Sequence, residues 1–135
     1  MKSKTIIYEA ETIRVYDRFK TKLQGNKTYI DARGTTRKND FIEVFTKSEI
    51  NSLRNFMEYL DAFESHKVGL NRKVALIDRL KAIRKSCIAI PLTKINDKNL
   101  KKVLTGIQNR KQAPETRLGQ FLALRKYLTW LEYGD

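Results

Sequence analysis

The sequence predicts a mainly α fold, with four helices over residues 46–135 preceded by a small β-rich segment over residues 1–45. Three observations carry this expectation. Apolar residues recur at intervals of two before residue 45 and at intervals of three and four after it. Gly69, Pro91 and Pro114 punctuate the second part. Cap-forming residues stand just ahead of its apolar stripes.

In the first part, Thr5-Ile6-Ile7-Tyr8 is short and β-prone. From Thr12 to Leu23, Ile13, Val15, Phe19 and Leu23 alternate with Arg14, Tyr16, Arg18, Lys20 and Lys22, the period of a half-buried strand. Ile13, Tyr16, Phe19 and Leu23 also fit a helix stopped by Gly25; the many β-branched and aromatic residues favour the strand. Gly25-Asn26 then reads as a hairpin turn, because both residues tolerate positive φ, with Thr28-Tyr29-Ile30-Asp31 returning. Residues 34–40 form a polar loop, and Phe41-Ile42-Glu43-Val44-Phe45 a third strand.

In the second part, Thr46-Lys47-Ser48-Glu49 has the form of a capping box. Ile50, Leu53, Met57, Leu60 and Phe63 follow as one stripe and define a helix over about residues 47–65. Asn71 caps the next helix, whose inner stripe is Val74, Ile77, Leu80, Ile83 and Cys87. Its other face carries Arg72, Lys73, Arg79, Lys81, Arg84 and Lys85. Asn96 or Asp97 caps a third helix, with Leu100, Val103, Leu104 and Ile107 inward and Lys98, Lys101 and Lys102 outward. The fourth opens at Pro114, a residue pre-set for the first helical turn. Its apolar positions are Leu118, Phe121, Leu122, Leu124, Leu128 and Leu131. Thr116 and Arg117 stand at its positive end, where free N–H groups suit a phosphate. Trp130 reads as a core anchor.

Charge narrows the function. The 135 residues carry a net +13, and its distribution is lopsided. Residues 1–65 hold 12 Lys/Arg and 10 Asp/Glu, whereas residues 66–135 hold 16 and 5. A cationic C-terminal half with a basic, amphipathic last helix is what a nucleic-acid binder presents. No apolar run is long enough for a membrane span or a signal peptide, so the expected setting is a reducing cytoplasm, with nucleoid association when bound to DNA.

Catalytic chemistry is not visible. His66 is the one histidine and sits in a polar context as a surface residue. Cys87, the one cysteine, lies on an apolar stripe without a histidine to activate it. No metal-ligand spacing, Gly-rich phosphate loop or paired carboxylates occur. The sequence therefore predicts no metal, no cofactor, no small-molecule substrate and no membrane partner.

Four phrases in order resemble the N-terminal core-binding domain of tyrosine recombinases, the phage-integrase family. They are Met57-Glu58-Tyr59-Leu60, Leu70-Asn71-Arg72-Lys73-Val74, Ile95-Asn96-Asp97-Lys98-Asn99-Leu100, and Thr116 followed by Ala123-Leu124-Arg125-Lys126-Tyr127-Leu128-Thr129-Trp130-Leu131. The resemblance covers residues 47–132 and implies a four-helix SAM-like bundle that forms one jaw of a clamp on a double-stranded DNA half-site. Other recombinase protomers on the same DNA are implied partners. By position, it nominates Arg72 and Lys73, then Thr116, Arg117 and Gln120, as DNA-binding residues. Arg125 and Lys126 suit phosphate contacts or salt bridges more than base reading. The family's catalytic residues belong to a domain that would follow Asp135, so this chain is expected to hold DNA without cutting it. Residues 1–45 would be either a small sheet packed on the helices or an arm-like extension. Gly119, unfavourable inside a helix, would allow close approach of DNA or of a neighbouring helix.

Two other readings stay open. One is a regulatory or protein-interaction module whose basic surface meets an acidic partner. The other is an RNA binder using Tyr8, Tyr16 and Tyr29 on a sheet.

Overall fold

The stretches 5–8 and 12–22, read from the sequence as strand, belong to one helix. The structure, a computed structural model, describes residues 2–31, 33–63 and 69–133. It is mainly helical, with one two-stranded antiparallel sheet near the N-terminus. In order, the elements are α1 (Lys2–Lys22), β1 (Thr28–Ile30), β2 (Thr36–Lys38), α2 (Phe41–Val44), α3 (Lys47–Phe63), α4 (Leu70–Ser86), a 3-10 turn (Leu92–Lys94), α5 (Asp97–Asn109) and α6 (Pro114–Tyr133).

Packing explains why α1 is a helix. Tyr16 and Leu23 are buried and Phe19 packs beside them, a spacing of three and four that only a helix can turn to one side. Ile13, an inward residue in the strand reading, is half exposed. The long charged side chains between them are also good helix formers. Gly25 is the stop and not a hairpin turn: its φ is +83°, and its N–H bonds back to the Lys22 carbonyl at 3.2 Å, as a left-handed C-terminal glycine does.

The hairpin lies one turn further on. Thr28, Tyr29 and Ile30 pair with Lys38, Arg37 and Thr36, so the expected polar loop contains β2. Asp31 organises the bend. Its Oδ1 accepts from the Arg33 and Thr35 N–H groups, both at 2.9 Å, an Asx turn. The expected third strand is instead α2, because Phe41 and Phe45 are both buried and four residues apart. Asn39 fastens these pieces together: its Nδ2 donates to the Lys22 and Asn26 carbonyls at 2.8 and 2.9 Å, and its Oδ1 accepts from Phe41 N–H at 3.1 Å.

The capping box at Thr46 and Glu49 forms reciprocally, Thr46 N–H to Glu49 Oε1 at 2.9 Å and Glu49 N–H to Thr46 Oγ1 at 3.3 Å. On α3, Ile50, Leu53, Met57 and Leu60 are buried as expected, and Phe56 with them. α4 starts from Gly69, not Asn71. It is the element on which α1, α2, α3 and α6 converge, with Ile77, Leu80 and Ile83 buried. Asn96 caps α5 in a second reciprocal box with Asn99. On that helix Val103 and Ile107 are buried, whereas Leu104 turns outward.

α6 is rotated relative to the sequence reading. Its buried residues are Gly119, Gln120, Ala123, Leu124 and Tyr127, while Leu118 and Leu122 are 57% and 51% exposed. Small residues at 119 and 123 let α6 lie close to α4, which a leucine stripe would hold apart. Trp130 is anchored as expected, its ring 5.2 Å from Phe56 and 6.0 Å from Tyr127. One core joins Tyr16, Leu23, Phe41 and Phe45 to the helical residues beyond 46.

Candidate nucleic-acid interface

Burial of α4 on several sides forces its basic residues to divide. Lys73, Lys81 and Arg84 turn inward and each meets a carboxylate from the first half of the chain. Lys73 is only 3% exposed. Its Nζ lies 3.0 Å from Asp61 Oδ1 and 5.6 Å from the centre of the Tyr16 ring. Asp61 also receives the Tyr16 hydroxyl and Lys20 at 3.1 Å. Burial pushes its carboxyl up, but the hydrogen bonds from Tyr16, Lys73 and Lys20 outweigh it and hold the pKa low.

Asp40 is the second receiver, taking Lys81 and Lys22, the latter at 2.9 Å. Its pKa is likewise lowered, because those two ammonium groups overcome the opposing effect of burial. Glu49 is the third. It is wholly buried, accepts Arg84 Nε at 3.0 and 3.3 Å and also accepts Leu92 N–H at 2.8 Å.

These pairs correct the list of surface cations. Lys73 is interior and structural, so it offers nothing to a phosphate. Gln120 is also interior, 2% exposed, with its Oε1 buried and unpartnered; it cannot read a base from there. Thr116 is exposed, but its N–H already bonds to the Ala113 carbonyl at 3.0 Å, as does that of Arg117 at 3.2 Å. Arg117 is half-buried and donates from Nη1 to the Gln108 carbonyl at 3.0 Å. Glu115 occupies the first turn of α6 and completes the helix dipole itself. The tip of α6 is therefore a weaker phosphate grip than its sequence implies.

What remains is a set of exposed cations spread over three helices. Arg72, Arg79 and Lys85 on α4, Lys98, Lys101 and Lys102 on α5, and Arg125 on α6 are exposed. Among the described residues, none of these seven is in an ion pair. Lys126 is half-buried and has a partner. α4 and α6 pack against each other more extensively than any other pair of elements, so Arg72 and Arg125 belong to one packed unit. Thr116 and Arg125 share α6 with the half-buried Arg117.

Arg79 is a residue that the sequence reading left outside the site. Its guanidinium lies against Gly119, where an added Cβ would come within 2.9 Å of Nε. The close approach that this glycine permits is thus made by the α4 side chain. Gly119 itself was the available signal: a glycine inside a helix, facing the neighbour.

Among the described residues, no group of three or more His, Cys, Asp or Glu is placed to hold a metal, and no helix is long and apolar enough to cross a membrane. His66 lies outside the described residues. Tyr16 is buried and Tyr29 half-buried, so neither stands as an open stacking platform on the sheet; the side chain of Tyr8 lies outside the described residues. No protein-family model, curated protein or solved structure matches the chain.

Proposed function

We propose that this chain binds double-stranded DNA as the core-binding domain of a site-specific tyrosine recombinase or integrase, with α3–α6 as a SAM-like bundle on one half-site. In this reading the chain contributes grip and not strand transfer, which a separate catalytic domain supplies. One observation carries it. After three α4 cations are consumed by Asp40, Glu49 and Asp61, seven exposed and unpaired cations remain on α4, α5 and α6. A protein that kept basic residues only for internal pairing would not leave this surplus on three adjoining helices.

The grip is electrostatic in its first instance. Each phosphate neutralised releases condensed counterions, so affinity falls with salt at a log–log slope of about −0.9 per contact. Arg72, Arg79 and Arg125 offer planar guanidinium forks suited to phosphate oxygens. Lys85, Lys98, Lys101 and Lys102 add mobile point charges.

Fluorescence anisotropy with a labelled 30-bp duplex, titrated from 50 to 300 mM salt, tests this. The expected result is a steep salt slope that becomes shallower in an Arg72→Ala/Arg125→Ala variant with unchanged thermal stability. Binding that ignores both salt and these two residues overturns the proposal.

A second reading, a protein-interaction module, draws on the exposed Leu118 and Leu122 of α6 together with Tyr133, 69% exposed. It predicts self-association or partner binding that a Leu118→Glu/Leu122→Glu variant abolishes, measured by light scattering, with duplex binding absent.

A further inference from the structure

A concave feature lies on elements other than α4, α5 and α6. α1 and the hairpin flank a half-open cleft of about 690 Å³ whose lining includes two acids, Asp17 and Asp31, and Arg14, Arg18, Arg33 and Arg37. Among the described residues its cations are four arginines and no lysine. Arg14 and Arg18 are one helical turn apart on the same side of α1. Both are exposed, as is Arg33, and none of the three is in an ion pair among the described residues.

The two acids do not cancel them. Asp31 is occupied: Oδ1 holds the turn through the Arg33 and Thr35 N–H groups, and Oδ2 takes Arg37 Nε at 2.9 Å. These bonds hold its carboxyl below the ordinary range, so it stays ionised as a fixed part of the wall. Asp17 is the other acid of the lining among the described residues, against three arginines outside any ion pair. Two apolar side chains sit at the rim, Ile13 at 50% and Ile30 at 70% exposure, and half-buried Tyr29 contributes an aromatic ring.

We infer that this cleft binds a short single-stranded stretch of nucleic acid through its phosphodiester backbone. A positively charged groove that tracks the phosphodiester backbone is one half of what single-strand sites use, and the cleft supplies that half. A volume of about 690 Å³ falls within the span of small-ligand pockets, about 300–1,000 Å³, which is room for one or two nucleotides of a single strand. Guanidinium forks favour phosphate over the simple counter-charge of an acidic peptide, for which lysine serves as well.

The proposed contact is to phosphate, which DNA and RNA strands share, so the two are expected to be held alike.

The test uses labelled dT8 and rU8 beside the 30-bp duplex, with anisotropy as the readout. The wild-type chain is expected to bind both single strands within about threefold of each other. Arg14→Ala/Arg18→Ala lowers both affinities at least tenfold and Arg33→Ala several-fold, while duplex affinity holds. Arg72→Ala/Arg125→Ala shows the converse, losing duplex and keeping dT8. Circular dichroism melts confirm that each variant is folded.

The inference is overturned if Arg14→Ala/Arg18→Ala leaves dT8 binding intact or lowers duplex affinity in parallel. It is also overturned if one sugar is preferred more than tenfold, or if a polyglutamate peptide displaces dT8 at equal concentration. Loss of duplex binding alone, with the Arg14-dependent dT8 binding retained, defeats the recombinase-domain reading and leaves the cleft inference standing.

Discussion

Arg84 of α4 donates its Nε to both carboxylate oxygens of Glu49, at 3.0 and 3.3 Å, and Glu49 has no exposed surface at all. The same carboxylate closes the cap of α3 and anchors the Leu92 amide of the 3-10 turn. Glu49→Ala strands Arg84 and two backbone N–H groups at once. Breaking a buried pair from one side costs about 3–5 kcal/mol, and urea unfolding is expected to show a loss of that size. Glu49→Leu with Arg84→Met recovers much of it, because removing both partners leaves no unpaired charge.

Lys73 and Arg72 are neighbours in sequence and opposites in role. Lys73→Met keeps the aliphatic stem but removes a charged hydrogen bond to Asp61, a loss of about 1.5–3 kcal/mol. Arg72→Ala touches no buried partner and is expected to stay within about 0.5 kcal/mol of the parent. Duplex affinity should respond in the reverse order once stability is matched. Arg72→Ala lowers affinity and reduces the salt slope by about one, while Lys73→Met leaves both unchanged. Thermal melts and anisotropy on the same preparations check the pair.

Two helical glycines are expected to respond to alanine with opposite signs. At Gly119 the new Cβ meets the end of the Arg79 side chain, which can swing away, so the gain in helix propensity of about 1 kcal/mol dominates and the melting temperature rises. At Gly106 the Cβ comes 3.1 Å from the Cys87 carbonyl oxygen, part of the backbone that ends α4. That contact has no flexible end to move, and overpacking of this kind costs about 1–3 kcal/mol. Gly106→Ala is therefore expected to lower the melting temperature.

Stability should fall at both ends of the pH range. Asp40 and Asp61 have folded pKa values below the ordinary 3.8, so the unfolded chain binds more protons in acid. Their contribution is complete above pH 3.8 and is lost as pH drops through the folded values. In alkali the sign reverses. Burial raises both Tyr16 and Tyr127 above 10.0, Tyr127 to about 12, so their contribution is complete below pH 10 and is lost as pH climbs toward 12. Urea midpoints across pH 2–12 should trace both limbs. Asp61→Asn flattens the first and Tyr127→Phe the second.

The helices from residue 46 onward were legible because their signals are local. Thr46 with Glu49 and Asn96 with Asn99 form their caps within four residues, and the stripe from Ile50 to Leu60 repeats long enough to exclude another period. α1 was not legible for the opposite reason. Ile13, Val15, Phe19 and Leu23 suit a strand while Ile13, Tyr16, Phe19 and Leu23 suit a helix, and the choice is made by α4, some sixty residues away in sequence. The interface divides in the same way. Net charge identified a basic half, but the side of α4 facing Asp40, Glu49 and Asp61 is a property of packing. Lys73 and Arg72 therefore could not be told apart from sequence. Leu118 and Leu122 turned outward because Gly119 and Ala123 took the contact, which composition alone does not rank.

Asn39 carries a mechanical consequence. By tying the end of α1, the entry to β1 and the start of α2 through one side chain, it removes the hinge that a hairpin on a five-residue connection would otherwise have. A pull on the hairpin is transmitted to the shaft of α1 and, through it, to α4. The base of the hairpin is accordingly bolted to the end of α1, so the two walls of the cleft share one foundation.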